Sequence, residues 1–92
     1  MYTVYVLFSE KFRKIYIGYS SAFEIRLRSH NCLGTKGFTK RYRPWIVVLE
    51  ENYANKTQAI QREKQLKSGQ GGFWIWNLIF EKFPPALDSY PP

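Results

Sequence analysis

Apolar and polar positions alternate in blocks along this chain, and the blocks predict strands and helices in turn. Tyr2-Thr3-Val4-Tyr5-Val6-Leu7-Phe8 is a run of β-branched and aromatic residues that reads as a buried strand. A polar connector, residues 9–13, separates it from a second such run, Lys14-Ile15-Tyr16-Ile17-Gly18-Tyr19. Two strands joined by a short polar loop predict an antiparallel hairpin.

From there the period changes from two to that of a helix. Ser21-Ala22-Phe23-Glu24 has the form of a capping box, and Phe23, Leu27 and His30 then fall on one helical face, giving a helix to about Asn31. Glu24 and Arg28 stand four apart on another face, placed to pair. Residues 32–44 form a connector bearing Gly34, Gly37, Lys36, Lys40, Arg41 and Arg43, with a length that suits a binding loop. Trp45-Ile46-Val47-Val48-Leu49-Glu50 is the third strand. Asn55 caps a second helix that runs to about Lys67, with Gly69 as its stop and Gln70-Gly71-Gly72 as a flexible joint. The greasy segment from Phe73 to Phe83 has the length of a helix packed on the sheet, ended by Pro84-Pro85. The expected organisation is one domain over residues 1–83 and a Pro-rich tail over 84–92.

Composition narrows the classes. The 92 residues suffice for one core. Lys plus Arg number 14 against 7 acidic residues, a formal charge of +7, which favours polyanions such as nucleic acid, the ordinary alternative being plain solubility. The lone Cys32 excludes an intramolecular disulfide and a cysteine-based zinc site. With no leader-like segment in view, a reducing, cytoplasmic setting is the expectation. No apolar run reaches the roughly 18 residues that a membrane span needs.

Few residues are candidates for chemistry. Glu63 shares a helical face with Ala59 and Leu66, where a carboxylate is costly unless it is paired or holds a metal. The ordinary alternative is a surface Glu paired with Lys67. Arg26 and His30 project together at i, i+4, and are otherwise a solvated arginine and a core histidine. Tyr5 and Tyr16 would otherwise be core tyrosines. No Ser/His/Asp set, phosphate-binding Gly loop or His cluster competes with these.

The order of these residues is informative. Thr3-Val4-Tyr5, then Tyr16-Ile17-Gly18, then Arg26-Leu27-Arg28-Ser29-His30-Asn31, then Glu63 within Ala59-Ile60-Gln61-Arg62-Glu63-Lys64-Gln65-Leu66-Lys67 resembles the GIY-YIG nuclease superfamily, from Tyr2 to about Phe80. The superfamily includes the N-terminal domain of the UvrC repair nuclease and small stand-alone bacterial proteins. The resemblance implies an α+β fold, a three-stranded antiparallel sheet flanked by helices. It further implies a metal-dependent DNA endonuclease in which Tyr5, Tyr16, Arg26, His30 and Glu63 form the catalytic centre. Glu63 would hold Mg²⁺ (or Mn²⁺), Arg26 the transition-state charge, and one of the two tyrosines, Tyr5 in preference to Tyr16, would act as base, its pKa lowered by Arg26 and the metal. Thr3 replaces the first glycine of the family motif, and Tyr19 stands where some members carry a Lys. Some members have an Asn beyond the glutamate, and Asn77 lies near that point.

Lys36, Lys40, Arg41 and Arg43 are expected to contact phosphates, with Phe38, Tyr42 and Trp45 among them to stack on bases or to fill the core. The expected substrate is DNA, branched or damaged, in repair or recombination, with a partner protein as a source of specificity. The alternatives are an inactive nucleic-acid-binding module of the same fold, or an interaction domain using the tail.

Overall fold

The structure, a computed structural model, describes residues 1–33 and 37–84, and the side chains of Cys32, Leu33, Gly37 and Phe38 lie outside that description, as do Lys36 and the tail beyond Pro84. Strands β1 (Tyr2–Ser9), β2 (Lys14–Ser20) and β3 (Ile46–Tyr53) form an antiparallel sheet in the order β2-β1-β3. Helix α1 (Phe23–Arg28) follows β2 and passes into a π-helical turn, Ser29–Leu33. A short helix, α2 (Gly37–Arg41), precedes β3; α3 (Lys56–Lys67) and α4 (Gly69–Lys82) follow it.

The central strand explains its own composition. Val4, Val6 and Phe8 face a core shared with Val48, Ala59 and Leu66 of α3, and Ile75 and Ile79 of α4. Tyr5 and Leu7 face the other way, into a smaller core with Phe23 and Trp45. A strand covered on both faces has no need of polar alternation, hence the unbroken apolar run. β2 divides in the same way, with Ile15, Ile17 and Tyr19 towards the larger core and Tyr16 towards the smaller. Tyr19 is thus part of the packing.

Several local expectations are corrected. The capping box does not form: α1 is capped at Ala22 with no side-chain bond, and the Ser20 hydroxyl, closer to the strand end, takes the Ala22 N–H at 2.9 Å. Among the described residues no ion pair joins Glu24 and Arg28, which are both exposed. The connector before β3 contains α2 and is not wholly loop. β3 begins one residue later than Trp45 and runs on to Tyr53, with a bulge opposite Val6 and Leu7.

The largest correction concerns Gly69. It is neither a stop nor the start of a flexible joint, but the first residue of α4. Ser68 alone is the elbow. Its hydroxyl donates to Gln65 O at 2.6 Å and accepts the Gly71 N–H at 3.2 Å, so it closes α3 and opens α4 together. Gly71 is required there: a Cβ would lie against Gln65 O and within 2.7 Å of the Leu66 backbone. The Asn55 cap of α3 forms as expected, its Oδ1 accepting the Gln58 N–H at 2.9 Å.

Candidate active site

The side of the sheet that bears the smaller core brings Tyr5, Tyr16 and His30 together. Tyr5 is held by β1 and is 1% exposed. Its strand partner on β2 is Gly18, and a Cβ on Gly18 would lie 2.8 Å from the Tyr5 hydroxyl and 3.1 Å from Tyr16 Cε1. The Tyr-Ile-Gly sequence therefore has a steric reason: any side chain at Gly18 occupies the space of the two tyrosines. Tyr16, two residues before Gly18, keeps its ring 6.3 Å from that of Tyr5.

α1 and the π-helical turn supply the next two groups. His30 is 4% exposed, and its Nε2 stands 3.0 Å from the Tyr5 hydroxyl. Its ring lies 4.7 Å from the Tyr16 ring and 5.9 Å from that of Tyr5. Burial, together with the positive charges of Arg26 and Arg43, lowers the His30 pKa, so the imidazole is neutral at neutral pH. Arg26 is exposed, and its guanidinium acts on the Tyr5 hydroxyl in the direction that favours ionisation.

Glu63 arrives from α3. At 3.6 residues per turn it stands about 40° to one side of the stripe that starts at Ala59, and Arg62 about 60° to the other. Arg62 makes a bidentate bridge to Glu51 on β3, Nε to Oε1 at 2.7 Å and Nη2 to Oε2 at 3.1 Å, which fixes how α3 lies on the sheet. The Glu63 side chain is 17% exposed, half in the packing as its position predicts. It also makes the ordinary pairing, since Lys67 Nζ lies 3.2 Å from Oε1. Its charge reaches Tyr5 and opposes ionisation there.

Among the protein's own groups the electrostatic balance at Tyr5 runs against ionisation. Burial raises the phenol pKa, the neighbouring Tyr16 raises it further, and the favourable contribution of Arg26 is smaller. The protein's own groups thus keep Tyr5 protonated at neutral pH. Arg26 pulls in the expected direction but is outweighed by desolvation.

A divalent cation has a modest donor set. Among the described residues no group of three or more His, Cys, Asp or Glu side chains converges. Glu63 is a single carboxylate with Oε1 engaged by Lys67. Mg²⁺ commonly keeps several waters and takes only one or two carboxylates, so this donor set fits such an ion and would not fit zinc.

The residues expected to bind phosphate separate into two kinds. Lys40 and Arg41 are exposed on α2. Arg43 instead plays a structural part, its Nε donating to His30 O at 2.7 Å and its Nη2 to Ser29 O at 3.4 Å. It satisfies carbonyls of the π-helical turn and so supports His30 from behind. Trp45 is core, 3% exposed, with its indole N–H donating to Thr39 O at 2.8 Å. Asn77 is exposed and bonds Phe73 O within its own helix. Sequence reasoning missed Asn31, whose side chain accepts the Trp45 N–H at 2.6 Å and donates to Trp45 O at 3.1 Å. This pair ties the segment carrying His30 to the start of β3, and nothing local in the sequence signals it.

A family model described as the GIY-YIG catalytic domain matches residues 1–71. A UPF0213 protein of Staphylococcus haemolyticus is 33% identical over 58 residues, covering 63% of this chain and 71% of that protein. No solved structure matches. The two tyrosines against Gly18, with the arginine of α1, the histidine of the π-helical turn and the glutamate of α3, lie within the matched stretch, and the chain belongs to the GIY-YIG family.

Proposed function

We propose that this chain is a DNA endonuclease that hydrolyses phosphodiester bonds at the Tyr5 site, with Mg²⁺ or Mn²⁺ on Glu63. The observation that carries the reading is the Tyr5 hydroxyl, which sits 3.0 Å from His30 Nε2, beside Tyr16, and within reach of the charges of Arg26 and Glu63. A buried phenol in contact with a neutral imidazole can take a proton from an attacking water while passing its own to the imidazole. This relay suits the raised pKa of Tyr5, because the phenolate need never accumulate. Arg26, exposed beside the hydroxyl, can place its planar fork on the phosphate and favour negative charge as it develops on Tyr5. Tyr16 holds both rings in position. A divalent cation on Glu63 would polarise the phosphate and neutralise the leaving oxygen. Lys40 and Arg41 would carry phosphates of the flanking backbone. So small a site favours DNA structure over long sequence, which suits repair or recombination intermediates and a partner that adds specificity.

A second reading, an inactive nucleic-acid-binding module of the same fold, is favoured by the Lys67 contact on Glu63, which occupies one ligand oxygen. Branched and linear DNAs incubated with Mg²⁺ or Mn²⁺, and with chelator, separate the two. Cleavage is expected only with metal, and Glu63→Gln should abolish it. Tyr5→Phe should lower it by about 100-fold, the scale of lost acid–base catalysis. Cation-independent binding without any cleavage supports the inactive module.

A further inference from the structure

At the tip of the β1–β2 hairpin, outside the site and the expected phosphate contacts, stands Phe12, an exposed aromatic ring, 40% accessible. It meets the ring of Tyr42, just after α2, edge to face at a centroid distance of 5.4 Å. Cations surround the pair. Lys11 Nζ is 5.4 Å from the Phe12 ring, and Lys14 Nζ and the Arg41 guanidinium are 5.6 and 5.5 Å from that of Tyr42. Lys11, Lys14 and Arg41 are all exposed, and Glu10 is the acid at the same tip. Tyr42, like Tyr16, packs against the smaller core, so the patch adjoins the face that bears Tyr5.

From this arrangement the geometry points to a platform for an unpaired nucleic-acid strand, with a base stacked on Phe12 and its flanking phosphates on Lys11, Lys14 and Arg41. The platform rests on the nuclease reading and deepens it by naming the substrate class: DNA with a single-stranded segment leading to the scissile bond. First, an exposed ring set edge to face on a second ring and ringed by cations matches a ligand with both a π-face and negative charge. Second, bases in a duplex have their faces covered, and only an unpaired base can present one to Phe12; a duplex could use the cations but not the ring. Third, an exposed cation–π contact is weaker than base–aromatic stacking. A base can therefore displace Lys11 from Phe12, and the freed ammonium remains beside the phosphate. In sequence, residues 9–13 are a plain polar connector; only the fold brings Phe12 to Tyr42, thirty positions away.

The test is binding without turnover. Fluorescence anisotropy with a labelled oligo-dT and with a blunt duplex of equal length is measured in chelator at fixed moderate salt. Phe12→Ala is expected to weaken oligo-dT binding by about 5-fold or more, the lower end for loss of one stacked base, and to change duplex binding less than twofold. Phe12→Trp should restore it. Lys11→Gln with Lys14→Gln should weaken both ligands and reduce the salt dependence. Phe12 is exposed, so these variants should keep the wild-type melting temperature, and an acidic polypeptide, poly-glutamate, serves as the competing polyanion. The platform is overturned if Phe12→Ala leaves oligo-dT binding unchanged, if it affects oligo-dT and duplex equally, or if poly-glutamate shows the same dependence on Phe12. Cleavage by the wild type, assayed alongside, keeps the two readings apart. A cutting enzyme indifferent to Phe12 loses only the platform, whereas a strand-selective effect of Phe12 in a protein that never cuts leaves the platform and removes the nuclease.

Discussion

At Gly18 the absence of one methyl group decides where a reactive hydroxyl sits. Its missing Cβ is the space taken by the Tyr5 hydroxyl and the Tyr16 edge. Both rings are packed, Tyr5 against Phe23 at 5.0 Å and Tyr16 against His30 at 4.7 Å, so neither can simply swing aside. Gly18→Ala should therefore displace Tyr5 from His30 by some tenths of an ångström or more. A fall in single-turnover cleavage of about 10- to 100-fold is expected, in line with the cost of a misplaced reacting group. Far-ultraviolet circular dichroism should be unchanged, and a wild-type rate would mean that the hydroxyl position is not critical. Arg26 and Arg28 offer a second comparison at this scale. Both are exposed on α1, but only Arg26 acts on Tyr5. Arg26→Lys should lose roughly 100-fold in single-turnover rate, because an ammonium cannot reproduce the planar fork on a charged transition state. Arg28→Lys should change it little. Equal rates in the two variants would place the site elsewhere.

Between elements, the elbow of α3 and α4 governs how Glu63 is presented. α3 is held on one flank by the Glu51–Arg62 bridge and by the stack of Arg62 on Trp74, 5.4 Å from the ring, and at its end by Ser68 and Gly71. The Arg62 hydrogen bonds keep the Glu51 carboxyl below the usual range, against the cost of burial. Gly71 and its neighbour Gly72 occupy successive positions in one helix but meet different surroundings. A Cβ at Gly71 strikes the α3 backbone, whereas at Gly72 nothing lies within 4 Å. Gly71→Ala is expected to cost about 1–3 kcal/mol through overpacking, a fall of roughly 4–8 °C in melting temperature per kcal/mol for a chain of this size. Gly72→Ala should be neutral or stabilise by up to about 1 kcal/mol, since alanine is the better helix former. Thermal melts of the two variants check this, and equal melting temperatures would show that the elbow is not tightly packed.

For the whole molecule, the formal charge of +7 is distributed so that different arginines and lysines do different work. Arg43 is committed to the Ser29 and His30 carbonyls, and Arg62 to Glu51, whereas Lys40, Arg41, Lys11 and Lys14 are exposed. With about four phosphate contacts, the slope of log K against log salt on a duplex should be near −3 to −4. Lys40→Glu with Arg41→Glu should flatten it. Arg43→Gln should act differently, lowering stability and cleavage more than the slope, because it removes partners of buried carbonyls rather than a phosphate contact. Anisotropy titrations at several salt concentrations supply the measurement; a flat dependence in the wild type would remove DNA as the partner.

What the amino-acid order determined by itself is the three strands, the helices α1, α3 and α4 in outline, and the identity of the candidate reactive residues. The strands were legible because β-branched and aromatic runs have few other stable arrangements, and Asn55 signalled the start of α3 through a bond only three residues long. Tyr5, Tyr16, Arg26, His30 and Glu63 were legible as a pattern of types in order. Tertiary structure decided what such local signals cannot carry. The capping box at Ser21 lost to the Ser20 hydroxyl, because the end of β2 fixes where the backbone turns. Gly69, which read as a helix stop, and Gln70-Gly71-Gly72, which read as a joint, became a helix start, because Ser68 bonds both helices and Gly71 fits closely on Leu66. Arg43 supports His30 from behind, and at Tyr5 the protein's own groups raise the pKa. Both follow from burial, which depends on residues distant in sequence meeting in space, and desolvation outweighs a single neighbouring charge.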